Sequence, residues 1–193
     1  LKAVKYIENF HFVFNAVCSL RPSGIEGAYS KAARSINSPN ATKATNGTTI
    51  DQLCMLLSNR KPEISVFTEH FRDILFTDDN SKQKRLVQYI INKFEMARHN
   101  GDEYRPNSIS LEHVMPQSAG DDKEIGMVGN IIPLSKELNE QAGDKSLAQK
   151  LSIYSQSEFR LTEEFVSELE TIYHNEWNLQ SIIQKTDRMA GEA

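Results

Sequence analysis

The sequence predicts a mainly α protein, in which a helical N-terminal region is packed with a small strand–strand–helix core and C-terminal helices. Apolar residues recur at spacings of three or four through most of the first hundred positions. This helical pattern breaks at Gly101 and Pro106, and two short stretches beyond the break, 108–114 and 130–134, have the length and patterning of strands. The predicted division is a helical region over 1–100, a core over 101–160 and C-terminal helices over 161–193.

The N-terminal region is predicted to hold five helices. The first spans 4–17 with one apolar face, and the second begins after Ser23 as its N-cap and runs to about Ile36. The polar stretch 37–49 predicts an exposed loop. Helices follow at 50–59, at 62–76 and from Ser81 onward. The last one has a basic face that is either a solvated surface or a DNA contact, formed by Lys82, Lys84, Arg85, Lys93 and Arg98.

The core is predicted from the order of its elements. A strand over 108–114 is followed by a second over 130–134 and then by a helix over 136–141. Further helices are expected at 145–154 and 162–175. Asn178 is a suitable N-cap for a last helix that carries Leu179, Ile182 and Ile183.

Composition narrows the class of protein. Only two cysteines occur, Cys18 and Cys54, which excludes a four-cysteine zinc site and indicates a reducing, cytoplasmic setting. No apolar run approaches the roughly 20 residues of a membrane span, so no membrane association is expected. The chain opens on Leu1 rather than Met, which we interpret as a fragment of a longer polypeptide. The net charge of −4 is unfavourable for binding nucleic acid, although a locally basic surface would overcome it.

Four residues around the two strands have the chemistry that phosphodiester hydrolysis needs. His113, at the end of the first strand, is a candidate general base because imidazole accepts a proton near neutral pH. Glu112 and Asn139 offer hard oxygen ligands for Mg²⁺ or Mn²⁺. Asn130 would pin the hairpin by bonding to nearby backbone. Purely structural roles stay open for His113 and Asn139, and Glu112 can share a site with His113 only where the strand bends or ends.

These residues carry a resemblance to a known superfamily. The order Glu112, His113, Pro116 and Gln117, then the sequence GNIIPL over 129–134, then Asn139 resembles the HNH nucleases. The resemblance implies a ββα-metal (HNH) core and a metal-dependent endonuclease that nicks DNA. His113 would be the general base, Asn130 the brace, and Asn139 and Glu112 the metal ligands. Two positions depart from the commonest pattern, because many members have Asp at the position of Glu112 and His at that of Asn139.

A closer resemblance covers most of the chain. Residues 108–157, Phe159, Leu161, Thr162 and the stretch 177–182 are similar to the C-terminal HNH domain of GmrSD-type modification-dependent restriction nucleases, a group that includes SspE-type phosphorothioation-linked anti-phage effectors. This implies phage or modified DNA as substrate and a missing N-terminal nucleotide-hydrolysing domain in the same polypeptide. Lys145 and Lys150 would be phosphate contacts or solvated surface lysines. The alternative is a catalytically silent DNA-binding or subunit-docking module, which suits the acidic charge.

Overall fold

Helices make up most of the residues that the computed structural model describes, which are 2–99 and 108–193. The predicted mainly α class is therefore confirmed. The described residues form two compact units, one ending at His70 and the other beginning at Phe71. The boundary predicted at Gly101 and Pro106 lies outside the described residues, so the three-part division stays a prediction. Within the described ranges, no helix combines the length and the apolar character that crossing a bilayer requires.

The first unit is built from helices around a small aromatic and aliphatic core. Helix α1 (Lys2–His11) continues into a π-helical segment (Phe12–Val17), and α2 (Ile25–Ile36) and α3 (Lys43–Ser58) follow. Helix α4 (Ile64–Arg72) crosses into the second unit. The centre of the core consists of Phe10, Phe14, Ile25 and Leu57.

Two predictions in this unit are wrong. The stretch 37–49 is not all loop, because α3 begins at Lys43. The Thr42 hydroxyl accepts a hydrogen bond from the Thr45 backbone N–H at 3.2 Å, and the Thr45 hydroxyl accepts one from the Thr42 N–H at 2.8 Å, which together cap the helix. Ser23 is not the N-cap of α2 either. Gly24 occupies that position with a φ of +81°, a conformation that favours glycine.

The second unit follows the predicted order of elements. Helix α5 (Lys84–Arg98) precedes strands β1 (Ser110–His113) and β2 (Ile131–Leu134), and four helices follow: α6 (Lys136–Ala142), α7 (Leu147–Tyr154), α8 (Arg160–Thr171) and α9 (Leu179–Glu192). Helix α5 begins three residues after Ser81, with Gln83 at its N-cap position. Asn178 caps α9 as predicted, because its side-chain oxygen accepts from the Ser181 N–H.

The two strands form an antiparallel hairpin that leads directly into α6. Ser110 pairs with Leu134 and His113 with Ile131, so β1 ends at the candidate base. Every residue of β2 is buried, and Ile132 and Leu134 belong to a core that also contains Tyr154 and Phe165. A buried hairpin on this core is a rigid platform for the side chains at its end.

Candidate functional site

A cavity of about 370 Å³ lies where β1 ends, beside α6 and the segment that precedes α5. It brings together three of the residues predicted from the sequence, Glu112, His113 and Asn139. The predicted residues Asn130, Lys145 and Lys150 do not line it. Glu112 and His113 are both paired residues of β1, so their side chains leave opposite faces of the strand, and a site shared by the two stays a prediction.

His113 is almost fully buried, and one of its ring nitrogens is hydrogen-bonded to the backbone. Its Nε2 lies 2.8 Å from the Phe76 carbonyl oxygen, which can only accept, so Nε2 carries the proton. In the neutral ring Nδ1 is then unprotonated, and the Gln117 amide nitrogen lies 3.5 Å from it. Burial lowers the pKa of His113 below its usual value of 6.5, while the Phe76 carbonyl and Asp78 act in the opposite direction. The ring is therefore a neutral base at neutral pH.

Asn130 is completely buried and ties together the two sides of the hairpin. Its side-chain oxygen accepts from the Met115 N–H at 2.8 Å and from the Trp177 indole N–H at 3.0 Å. Its amide nitrogen donates to the carbonyls of Met115 at 2.9 Å and Ile125 at 2.8 Å. These bonds use the full capacity of the amide and fix the loop that follows His113.

Glu112 points into a buried polar cluster next to the cavity. Its Oε1 accepts from the Lys150 ammonium at 2.7 Å and from the Tyr154 hydroxyl at 2.8 Å. Burial raises the pKa of Glu112, whereas the bonds from Lys150 and Tyr154 oppose that rise. Burial and the nearby Glu112 raise the pKa of Tyr154 well above its usual value of 10, so its hydroxyl remains a donor. Both donors reach the same carboxylate oxygen, Oε1.

The structure corrects the phosphate contact predicted at Lys150. This side chain is fully buried, because α7 turns it toward the end of β1 rather than toward solvent. Besides Glu112, its ammonium donates to the His113 carbonyl at 2.7 Å. Lys150 thus holds the end of the strand and is inaccessible to a phosphate. Lys145 is exposed, its ammonium donates to the Gln141 carbonyl, and its contact with phosphate stays a prediction.

Several side chains with oxygen donors line the cavity. The side-chain nitrogen of Asn139 is buried without a hydrogen-bond partner among the described residues, and rotating the amide by half a turn would place an oxygen there. The carboxylates of Asp78, Glu112 and Asp144 also line the cavity. Oxygen ligands of this kind suit Mg²⁺ and Mn²⁺. Within the described residues, no three His, Cys, Asp or Glu side chains lie close enough together to hold a metal ion.

Residues 61–192, about two thirds of the chain, match the family described as GmrSD restriction endonucleases, C-terminal domain. The chain belongs to this family. It is therefore a nuclease domain of the restriction-endonuclease type, a class of hydrolase that acts on DNA. No curated protein matches the chain. The region of the GmrSD C-terminal domain includes both strands, α5 to α9 and every residue that lines the cavity, whereas α1 to α3 lie outside it.

Several residues that contribute to this site of the GmrSD C-terminal domain were not predicted from the sequence. Phe76 acts through its backbone carbonyl, for which no side-chain pattern exists. Trp177 reaches Asn130 from 47 positions along the chain, a pairing that local periodicity does not reveal. Lys84 lines the cavity, and for this residue a signal was present, because the basic face of its helix was recognised in the sequence.

Proposed function

We propose that this chain is a metal-dependent endonuclease domain of the HNH type, which nicks DNA with His113 as general base. The observation that carries the proposal is the hydrogen bond between His113 Nε2 and the Phe76 carbonyl, which leaves Nδ1 as the basic nitrogen of a ring that lines the cavity. A base needs a fixed tautomer, a rigid support and a pKa near or below the working pH. His113 meets each of these requirements.

In the proposed reaction, His113 Nδ1 accepts a proton from the water that attacks the scissile phosphate. The ring becomes positively charged, and this charge is stabilised by the Phe76 carbonyl at 2.8 Å and by Asp78, whose field favours the protonated ring. Asn130 keeps the loop after His113 in place through Met115. Because a displacement of about 1 Å costs roughly a hundredfold in rate, this support belongs to the mechanism.

Glu112 and Asn139 are the residues that we propose would hold Mg²⁺ or Mn²⁺, with Asp144 at the same cavity. When bound, the ion would neutralise charge on the scissile phosphate and stabilise the leaving oxygen. Lys150 and Tyr154 orient the Glu112 carboxylate through Oε1. An HNH site with one ion would cut one strand per visit, so a nick is the expected product.

The test is relaxation of supercoiled plasmid by the purified chain with Mg²⁺ or Mn²⁺. His113→Ala should reduce nicking at least a hundredfold, in line with the contribution of a general base. His70→Ala is the matched control, because this histidine does not line the cavity. Equal nicking by the His113→Ala protein would refute the assignment of the base. Glu112→Gln and Asn139→Ala should shift the metal concentration required for nicking to higher values.

The alternative function is a catalytically silent DNA-binding or subunit-docking module. It is favoured by the net charge of −4 and by the Lys150 ammonium, which already balances the charge of Glu112. Calorimetry with Mn²⁺ separates the two candidates, because a silent module would show no heat of binding even with DNA present.

In either case we propose that the domain serves a larger restriction or anti-phage protein, whose nucleotide-hydrolysing N-terminal domain brings it to phage or modified DNA.

A further inference from the structure

Three cations lie together at the beginning of α5, and we call Lys82, Lys84 and Arg85 the α5 cationic cluster. All three side chains are exposed, and within the described residues none of them takes part in an ion pair. The opposite end of the same helix differs, because Arg98 pairs there with Glu164 and Glu192. At the C-terminal end of α5 the basic side chain is thus paired with acidic residues of the same chain. At the N-terminal end the three cations have no ion pair among the described residues.

The position of the cluster is unfavourable for the helix itself. The N-terminus of a helix carries partial positive charge, which stabilises acidic side chains and destabilises basic ones. The first turn of α5 contains no acidic residue, and Lys84 is its first residue. No acidic side chain in this turn and no ion pair compensates the three cations, and the contact of Lys84 with the Phe76 ring is the one favourable interaction described for them. Local features that oppose stability without compensation are typical of functional positions.

Lys84 also connects the cluster with the cavity. Its ammonium lies 5.4 Å from the centre of the Phe76 ring, and that centre lies 5.5 Å from the centre of the His113 ring. Because both distances share the Phe76 ring, the Lys84 ammonium is no more than about 11 Å from the His113 ring. A DNA strand rises 3.4 Å per nucleotide, so about three nucleotides span this distance. Lys84 itself lines the cavity, and the other charged residues that the structure describes in its lining are Asp78, Glu112 and Asp144.

We propose that the α5 cationic cluster binds the phosphates of the DNA strand beside the scissile bond, with Lys84 on a phosphate within about three nucleotides of it. This inference rests on the proposed function, because it takes His113 to mark the point of cleavage. The cluster supplies positive charge beside the acidic side chains that the structure describes at the cavity. It replaces Lys150 as the source of phosphate contacts, since Lys150 is buried against Glu112.

The experiment measures how binding of the whole chain to a fluorescent DNA duplex depends on salt, by anisotropy, with EDTA present to prevent cleavage. Each phosphate contact that is lost should reduce the slope of log affinity against log salt by about 0.9. We expect that reduction for Lys84→Ala, about 2.7 for the triple alanine variant of the cluster, and recovery in Lys84→Arg. Lys43→Ala is the matched control, because Lys43 is likewise an exposed lysine that opens a helix, and it should leave the slope unchanged.

The outcomes separate this inference from the proposed function. A Lys84→Ala slope equal to that of Lys43→Ala, in protein whose circular dichroism and melting temperature match the parent, overturns the inference and leaves the role of His113 intact. Reduced slopes together with equal plasmid nicking by the parent and the His113→Ala protein refute the proposed function, while the DNA-binding surface stands. Reduced slopes and nicking that depends on His113 support both.

Discussion

At the level of single residues, the buried pair of Glu112 and Lys150 has the largest predicted effect on stability. Lys150 is fully buried and Glu112 nearly so, with 2.7 Å between the ammonium and the carboxylate. Removing one member of such a pair leaves the other charge buried without compensation, which costs about 3–5 kcal/mol. We therefore expect Lys150→Met to lower the free energy of unfolding by about that amount, measured by urea denaturation.

A double variant distinguishes the charge from the packing. Glu112→Gln together with Lys150→Met removes both charges, and it should recover at least half of the stability lost in Lys150→Met alone. If the single and double variants unfold at the same urea concentration, the loss arises from packing at Lys150 and not from the unpaired carboxylate.

The pH dependence of nicking follows from the burial of His113. Because burial lowers its pKa below 6.5, Nδ1 is mostly unprotonated at neutral pH and takes up a proton at lower pH. The rate of nicking should therefore be level near neutral pH and fall toward acidic pH, with a midpoint below 6.5. Between the unfolded pKa and the lowered folded pKa, the unfolded chain binds the extra proton, so the free energy of unfolding also decreases as pH falls through that window.

The measurement is a pH–rate profile at saturating Mn²⁺, accompanied by urea unfolding at the same pH values. An acidic limb centred above pH 6.5 would contradict the predicted direction of the pKa shift. The His113→Ala protein serves as the control for stability, because it should lose the part of the pH dependence that this residue causes.

At the level of elements, the hairpin depends on close contact with α9. Gly129, directly before Asn130, has no room for a side chain. A Cβ atom there would lie 2.4 Å from the Thr186 hydroxyl oxygen and 2.5 Å from the Ile182 carbonyl oxygen. The Gly129 N–H also donates to the Thr186 hydroxyl at 3.2 Å. Helix α9 therefore helps to set the position of the residues that brace His113.

Gly129→Ala should consequently destabilise the protein by about 1–3 kcal/mol, as overpacked sites do, and should reduce nicking. Gly191→Ala is the matched control, because nothing lies within 4 Å of a Cβ at that position of α9. The comparison uses thermal unfolding followed by circular dichroism and the plasmid assay. A Gly129→Ala protein as stable and as active as Gly191→Ala would show that the hairpin and α9 adjust to each other freely.

The elements also show what a sequence can and cannot predict. The strands and α6 were predicted because their alternation, Gly129 and the polar positions are local signals. The beginning of α3 was not, because Thr45 is not the Glu or Gln that usually marks a capping box. For Lys150, the spacing along α7 places it on the same face as Tyr154 but does not reveal that Glu112 lies opposite. Contacts between distant segments decide such roles.

At the level of the whole molecule, the candidate site lies entirely within the unit that begins at Phe71. The family region begins at residue 61, which includes all of α4. We expect a fragment of residues 61–193 to unfold cooperatively and to nick plasmid at a rate within about threefold of the full chain, because a unit with its own core folds independently. Thermal unfolding and the plasmid assay test this, with His113→Ala in the fragment as the negative control. Non-cooperative unfolding would contradict it.

The contact between Trp177 and Asn130 gives the molecule an intrinsic optical probe. Trp177 is the only tryptophan in the chain, and the Lys185 ammonium lies 5.8 Å from its ring. Burial lowers the pKa of Lys185 to about 8, so the charge beside the indole is present below that pH and absent above it. Fluorescence emission should therefore titrate near pH 8, and it should not in Lys185→Met.

Because the same indole donates to Asn130, its emission also reports on the loop that follows His113. A single emitter at this point makes every spectral change assignable to one residue. Rapid mixing of the unlabelled protein with Mn²⁺ or with DNA would then reveal the order in which ion and substrate arrive, without any chemical modification of the chain.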